Sequence, residues 1–232
     1  MPPRALDPAG VALVDKPGGP SSFAVVSQIR RITGARTGHA GTLDPFATGL
    51  LLLLSGRTTK LAPCLVGLHK RYLTKIDLGC RTSTGDPEGD IVERHAPPGE
   101  AELDVRLERL RGEIELPIPA ASAVKIGGER AYKLARRGLE VEMPVRRSTV
   151  HALDVIAYTG ETVTLDVLVS SGTYIRSLAI ALGGHCAALR RTEVGPFSVA
   201  DAVTPDAFTA SWLLPEGEVL ARVEAARAAH DA

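Results

Sequence analysis

Aromatic residues are scarce, with one tryptophan, four tyrosines and four phenylalanines among 232 residues. The core must therefore be built from Leu, Val, Ile and Ala, and each tyrosine is worth locating. Cysteine is scarcer still. Cys64, Cys80 and Cys186 are odd in number, widely spaced and never paired as Cys-x-x-Cys, which argues against a disulfide framework or a zinc site and fits a reducing cytosol. No long apolar run is present: Leu50 to Leu54 is the longest, far short of the roughly 18 to 20 residues that span a bilayer. The first ten residues, MPPRALDPAG, lack the basic-then-apolar order of a secretory signal. The expectation is a soluble, cytoplasmic protein. The six histidines fall in separate segments without ligand-type spacing, and neither Gly-x-Gly-x-x-Gly nor Gly-x-x-x-x-Gly-Lys-Ser/Thr occurs, so no metal and no cofactor are expected.

Net charge is absent too, at zero for pH 7, but the charges are segregated. Between Ser21 and Arg81 stand nine Lys and Arg against two acids, and between Thr82 and Ser122 four basic residues against ten acidic ones. One polyanion-facing surface would produce this pattern, and so would two unrelated solvated faces.

Val11 to Val14 reads as a strand, followed by a Pro- and Gly-rich loop at residues 15–20. A helix capped by Ser21 or Ser22 and closed by Gly34 should follow, with Phe23, Val26, Ile29 and Ile32 on one face. Residues 34–49 hold four glycines and no hydrophobic period, the mark of a long functional loop. Leu50 to Leu54 reads as a fully buried strand, Thr58 or Thr59 as the cap of a short helix through Leu65, and Tyr72 to Leu78 as a strand. Beyond Pro97-Pro98-Gly99 the spacing predicts a helix at residues 103–110 ended by Gly112, then a strand at 122–126, a Gly127-Gly128 turn and a helix to Gly138. Two antiparallel strands at 150–158 and 162–170, a helix from a Thr173 cap to Leu182 and a strand at 189–194 complete the pattern, with an amphipathic helix near 219–229. Strands follow strands as often as helices, which indicates an α+β protein with a mixed, largely antiparallel sheet flanked by helices.

Asp44 is the one acid in a stretch of glycine, threonine and leucine, and Pro45 stiffens the chain after it. Alone, it fits a turn as well as a catalyst. His39 lies five residues earlier, where it can titrate, stack or cap. Lys70-Arg71-Tyr72 sets two cations beside an aromatic, the pairing that phosphate contact plus base stacking requires. Ser171-Gly172-Thr173-Tyr174-Ile175-Arg176 puts a Tyr and an Arg on the first turn of a helix, able to hold a base and pair with a carboxylate or simply to cap the helix.

The string Gly38-His39-Ala40-Gly41-Thr42-Leu43-Asp44-Pro45-Phe46-Ala47-Thr48-Gly49 resembles the G-H-x-G-x-L-D-P-x-A-x-G signature of the TruB family of pseudouridine synthases. Asp15-Lys16-Pro17 with Ser21-Ser22, Lys70-Arg71-Tyr72, residues 82–89, Ser122 to Lys125, Ala131-Tyr132, Gly172 to Arg176 and Leu189-Arg190-Arg191 follow in the family's order, so that the resemblance covers about residues 10 to 200. It implies a pseudouridine synthase fold acting on a uridine in the T-arm of tRNA, position 55, by cleavage of C1′–N1, rotation of the base and formation of C1′–C5.

By the same resemblance Asp44 is the catalytic carboxylate, either attacking C1′ or promoting elimination to a glycal. Arg176 is implied to pair with Asp44 and keep it ionised, Tyr72 to stack on the base and assist proton removal from C5, and His39 to occupy the space left by the flipped base. Tyr174 and Leu189 are implied to line the pocket, with Lys16, Lys60, Lys70, Arg71, Lys125 and Arg190 as phosphate contacts. The partner is tRNA alone, bound by a monomer. Residues 1–205 are expected to form the catalytic domain and residues 206–232 a short acidic tail, where many members carry a C-terminal PUA domain. The rival readings are a non-catalytic tRNA-binding or folding module, which the basic segment fits equally, and a guide-RNA-dependent relative, which the short tail disfavours.

Overall fold

A computed structural model describes residues 8–122, 124–131 and 142–230, apart from the side chains of Lys125, Arg130 and His230. In chain order the strands are β1 (Gly10–Lys16), β2 (Thr37–His39), β3 (Thr48–Ser55), β4 (Lys70–Asp77), β5 (Cys80–Thr82), β6 (Ile91–Arg94) and β7 (Gly112–Pro117). They continue with β8 (Lys125–Ile126), β9 (Glu129–Arg130), β10 (Val145–Tyr158), β11 (Thr162–Val169), β12 (His185–Val194) and β13 (Phe197–Ser198). The helices are α1 (Ser22–Thr33), α2 (Ala62–Val66), α3 (Glu100–Glu108), α4 (Ile175–Ala181) and α5 (Glu216–His230). The α+β expectation holds: β1–β3, β2–β3, β7–β10, β10–β11 and β12–β13 pair antiparallel, and β12 meets β3 in parallel. No helix among the described residues is long and apolar enough to cross a membrane.

The chain folds as two compact units, one made of the residues up to Tyr72 together with those from Arg190 onward, the other of Leu73–Leu189. In the first unit β1 pairs along its whole length with Gly49–Ser55 of β3, Leu13 opposite Leu52. The other edge of β3 is shared by β2, which pairs at Leu53 to Ser55, and by Arg190 and Arg191 of β12, which pair at Thr48 and Gly49. All five leucines from Leu50 to Leu54 are buried, as a continuous apolar run in a strand covered on both faces requires. Leu50, Leu52 and Leu54 meet Val11, Leu13, Leu65, Phe197 and residues of the C-terminal helix in one core.

That last contact changes the expected tail. Val219 and Val223 of α5 are buried in the core of the first unit, and Leu214 exchanges backbone hydrogen bonds with Val11. Composition concealed this because only one narrow stripe of an otherwise polar helix is apolar. The loop expected at residues 34–49 likewise contains strand β2, too short and too rich in glycine to show a period. In α1 the buried face is Ser22, Val25, Val26, Ile29 and Thr33, while Phe23 and Ile32 are exposed at 69% and 47%. At 100° per residue those two lie on the margins of the stripe. Thr58 caps nothing: its hydroxyl donates to the Gly10 and Ser55 carbonyls.

In the second unit β10 pairs with β11 on one side and β7 on the other, both antiparallel. Val163, Leu165, Val167 and Val169 are buried in strict alternation, as the sequence predicts. Helix α3 ends at a cap on Arg109, and Gly112, expected to stop it, instead opens β7 at φ +74°. Strand β12 starts four residues earlier than expected. Helix α4 has Tyr174 at its N-cap, without a side-chain cap bond, and the Thr173 hydroxyl donates back to Ser170. Gly127 and Gly128, both at positive φ, turn β8 into β9; the helix expected to run to Gly138 lies outside the described residues.

Burial of α5 predicts that Val219→Ala and Val223→Ala each destabilise the fold by about 1.6 kcal/mol or more, two carbons at about 0.8 kcal/mol apiece plus a cavity cost. Urea denaturation of the full chain checks this, and unchanged midpoints would mean that α5 does not share the core.

Candidate active site

Asp44 is half-buried in the segment joining β2 to β3, and the residues on both sides of it are fixed. The Ser21 hydroxyl caps α1 by accepting from the Ala24 amide at 3.2 Å, which leaves the buried Ser22 hydroxyl for the loop. Ser22 Oγ donates to the Leu43 carbonyl at 2.8 Å and accepts from the Leu43 amide at 2.9 Å. On the other side the Pro45 carbonyl accepts from the Gly19 amide at 2.8 Å and from Lys16 Nζ at 3.0 Å. Lys16 is fully buried, and its ammonium also donates to the carbonyls of Pro17 and Pro20, both at 2.8 Å. The Ala47 amide closes the turn on the Asp44 carbonyl at 3.2 Å. With φ of Pro45 fixed by its ring, little backbone freedom remains at residue 44 to be lost in a reaction.

A buried arginine braces the same loop. Arg191, 1% exposed, donates from Nε to the Leu50 carbonyl at 2.7 Å and from Nη2 to the Gly41 carbonyl at 3.1 Å. Its backbone passes so close to β3 that a Cβ on Gly49, which sits at φ +101°, would lie 2.2 Å from the Arg191 carbonyl oxygen. Only glycine fits there. Burial, and then the Arg191 charge, pull the pKa of His39 below its ordinary value and that of Lys70 down to about 8. His39 Nδ1 is buried without a hydrogen-bond partner among the described residues.

In the second unit Arg176 is 3% exposed and forms an ion pair with the equally buried Asp86, Nη1 to Oδ2 at 3.2 Å. Nη1 also reaches the Thr84 carbonyl at 2.9 Å and Nη2 the Ala121 carbonyl at 3.0 Å. Asp86 is held in turn by the Thr84 hydroxyl and the Glu88 amide. A Cβ on Gly89 would meet Thr84 Oγ1 at 2.3 Å, so the turn at residues 82–89 closes only with glycine. The cation is thus locked in one direction before any substrate arrives.

Residues 30–175 match the family model described as TruB family pseudouridylate synthase, N-terminal domain. The chain belongs to this family. Among its relatives is tRNA pseudouridine synthase B of Leifsonia xyli subsp. xyli, 46% identical over 210 residues that cover 84% of this chain and 70% of that one. The protein of the same name from Bordetella avium is 44% identical over 213 residues, 87% of either chain. A crystal structure of a Cbf5-Nop10-Gar1 complex superposes with a TM-score of 0.65 at 28% identity, covering 88% of this chain and 57% of that chain.

Two phosphate contacts expected of this TruB-family chain do not fit its structure. Lys16 is buried under three carbonyls, and the buried Lys70 ammonium donates to the carbonyls of Val66 and Leu68. Long cationic side chains in a sequence look alike whether they point outward or solvate buried carbonyls. Lys60 is exposed and bridges to Glu216 at 3.0 Å, Arg71 is half-buried, and Arg190 grips Asp15 through two bonds of 3.0 and 2.8 Å. The side chain of Lys125 lies outside the described residues. Tyr72 and Leu189 are buried and Tyr174 is half-buried.

Sequence reasoning missed Asp86 and Arg191 as scaffold and took Ser22 only for a cap. It also missed that Asp77, Cys80 and His185 gather within 4.8 Å, because the cysteine and the histidine stand 105 residues apart. There His185 Nδ1 lies 3.2 Å from the Cys80 carbonyl, and burial with the Asp77 charge pushes the Cys80 thiol upward.

Two measurements test this arrangement. Gly49→Ala should cost about 2 to 3 kcal/mol or more in urea denaturation, because strained φ and a backbone clash combine; a wild-type midpoint would overturn the close approach. Since His39 is depressed in the folded state, the unfolded chain takes up its proton first, and stability is lost as pH falls below about 6.5. His39→Gln should flatten that acid limb, and identical limbs would show that His39 titrates normally.

Proposed function

We propose that this pseudouridine synthase isomerises a uridine in the T-arm of tRNA, at position 55, acting as a monomer in the cytoplasm without a cofactor. The names of the curated relatives support tRNA as the substrate. The observation that carries the reading is the double clamp on Leu43 and Pro45, which presents the carboxylate of Asp44 from a backbone with almost no freedom. Such fixation suits a residue that must meet one sugar carbon, and a turn-forming aspartate has no need of it.

In the proposed reaction the C1′–N1 bond breaks, the base turns, C1′ bonds to C5, the C5 proton leaves and N1 is protonated. Asp44 acts on the sugar, by attack at C1′ or by promoting elimination. Arg176 is the cation that the family motif assigns to this carboxylate, and its ion pair with Asp86 prealigns it. Tyr72 takes the base on its ring and assists proton removal at C5, with Tyr174 and Leu189 lining the pocket. His39, held neutral by burial, suits the space that a flipped base vacates. Lys60, Arg71, Lys125 and Arg190 remain the phosphate contacts of this proposal.

Purified protein incubated with an unmodified tRNA transcript should yield pseudouridine at a single T-arm position. Asp44→Asn should abolish turnover while tRNA binding stays within a few fold, since the amide keeps the shape but loses the charge. Turnover by that variant would overturn the assignment of Asp44. Tight binding by the wild type with no pseudouridine would favour a tRNA-binding or folding module instead.

A further inference from the structure

Two adjacent arginines open β10, and strand alternation gives them opposite surroundings. Arg147 stands across from Glu115 on β7 and bonds the Glu113 carboxylate, so its charge is already matched. Arg146, one residue earlier, projects from the other face, opposite Leu116, where the next pair is Ser148 and Ile114. Those β7 and β10 neighbours offer it no acid. Among the described residues Arg146, although exposed, makes no hydrogen bond or ion pair.

Its guanidinium nevertheless packs closely against backbone. It lies beside Gly172, where a Cβ would come within 2.3 Å of Nη2 and 2.6 Å of Cζ, and the φ of +80° at that glycine favours a residue without a side chain. Gly172 leads directly into Tyr174 and Arg176. A shallow pocket joins Arg146 to Thr173, Tyr174 and Ser177, and Ser177 anchors α4 to β7 by donating to the Pro117 carbonyl at 2.7 Å.

We propose that Arg146 is a phosphate-binding residue for the RNA substrate, holding a backbone phosphate beside the ring of Tyr174. A planar fork of donors, unmatched by any carboxylate and seated on a rigid backbone, suits two phosphate oxygens at small entropic cost. The aromatic ring next to it completes the pairing of phosphate contact with a stacking surface. The assignment rests on the reading that tRNA is the substrate.

The test is the salt dependence of unmodified tRNA binding by the full chain, with wild type, Arg146→Ala, Arg146→Lys and Arg147→Ala side by side. Loss of one phosphate contact should flatten the slope of log affinity against log salt by about 0.7 to 0.9 in Arg146→Ala. Arg146→Lys should restore the slope with part of the affinity, and Arg147→Ala should keep the wild-type slope. Arg146→Ala should raise the tRNA concentration needed for half-maximal turnover, because a contact made in the ground state is read in KM. A melting temperature equal to wild type establishes that the variant is folded; should it fall, Arg146→Gln, which keeps the stem, must show the same flattening. An unchanged slope in a folded Arg146→Ala, or an equal flattening in Arg147→Ala, overturns the proposal. If wild type forms pseudouridine with salt-dependent binding and Arg146→Ala matches it, the assignment of Arg146 alone fails. Absence of salt-dependent tRNA binding by the wild type would remove the substrate reading and this proposal with it.

Discussion

A guanidinium buried at the crossing of β12 and β3 is the constraint on which the loop carrying Asp44 depends. Arg191 bonds the carbonyls of Leu50 and Gly41, so it ties the strand after the loop to the loop itself. Taking a charge out of water costs several kcal/mol unless strong hydrogen bonds replace the hydration shell. Here the replacement consists of peptide carbonyls, and these would be left unsatisfied in their turn if the arginine were removed. The same approach demands glycine at position 49, because any Cβ would collide with the Arg191 carbonyl. One letter of the family signature, Gly49, is therefore explained by this close approach, while Gly41 sits at φ +94°, which favours glycine by itself.

Positive charge in this protein does two kinds of work. Lys16, Lys70, Arg176 and Arg191 are all buried, and all four donate to backbone carbonyls. One of them, Lys70, belongs to the run from Ser21 to Arg81, which carries nine basic residues against two acids. Part of the asymmetry that suggests a polyanion-binding stripe is thus internal scaffold around Asp44. The electrostatic consequence is felt locally: the Arg191 charge adds to burial in holding His39 and Lys70 below their ordinary pKa values. A neutral imidazole beside a fixed carboxylate loop can pack against a base without the cost of desolvating a charge.

Regular patterns were legible in the sequence and close approaches were not. The five leucines of β3 and the alternation of β11 follow from period and composition, and the structure buries them as expected. The register of α1 was misjudged because Phe23 and Ile32 are large and apolar yet sit at the margins of its stripe, while the small polar Ser22 and Thr33 occupy the centre. The C-terminal helix was undervalued for the same reason, since the few buried side chains of α5 are outnumbered by polar ones. In the site, Asp44 was visible from its neighbours, whereas Ser22, Asp86 and Arg191 act through bonds to residues 21, 90 and 141 positions away. No local pattern announces a bond of that span.

The sequence by itself determined that the chain is an α+β protein of the TruB family with a proline-braced aspartate in a glycine-rich loop. Those features are written in local residue order, where ring constraints, glycine freedom and hydrophobic period act over a few residues. Only the tertiary structure decided which cations face outward and which are consumed inside, because that depends on which carbonyls converge on each side chain. It gave Arg176 to Asp86, set Arg146 on bare backbone at Gly172, and turned Lys16 from a candidate phosphate contact into the pin that holds Pro45.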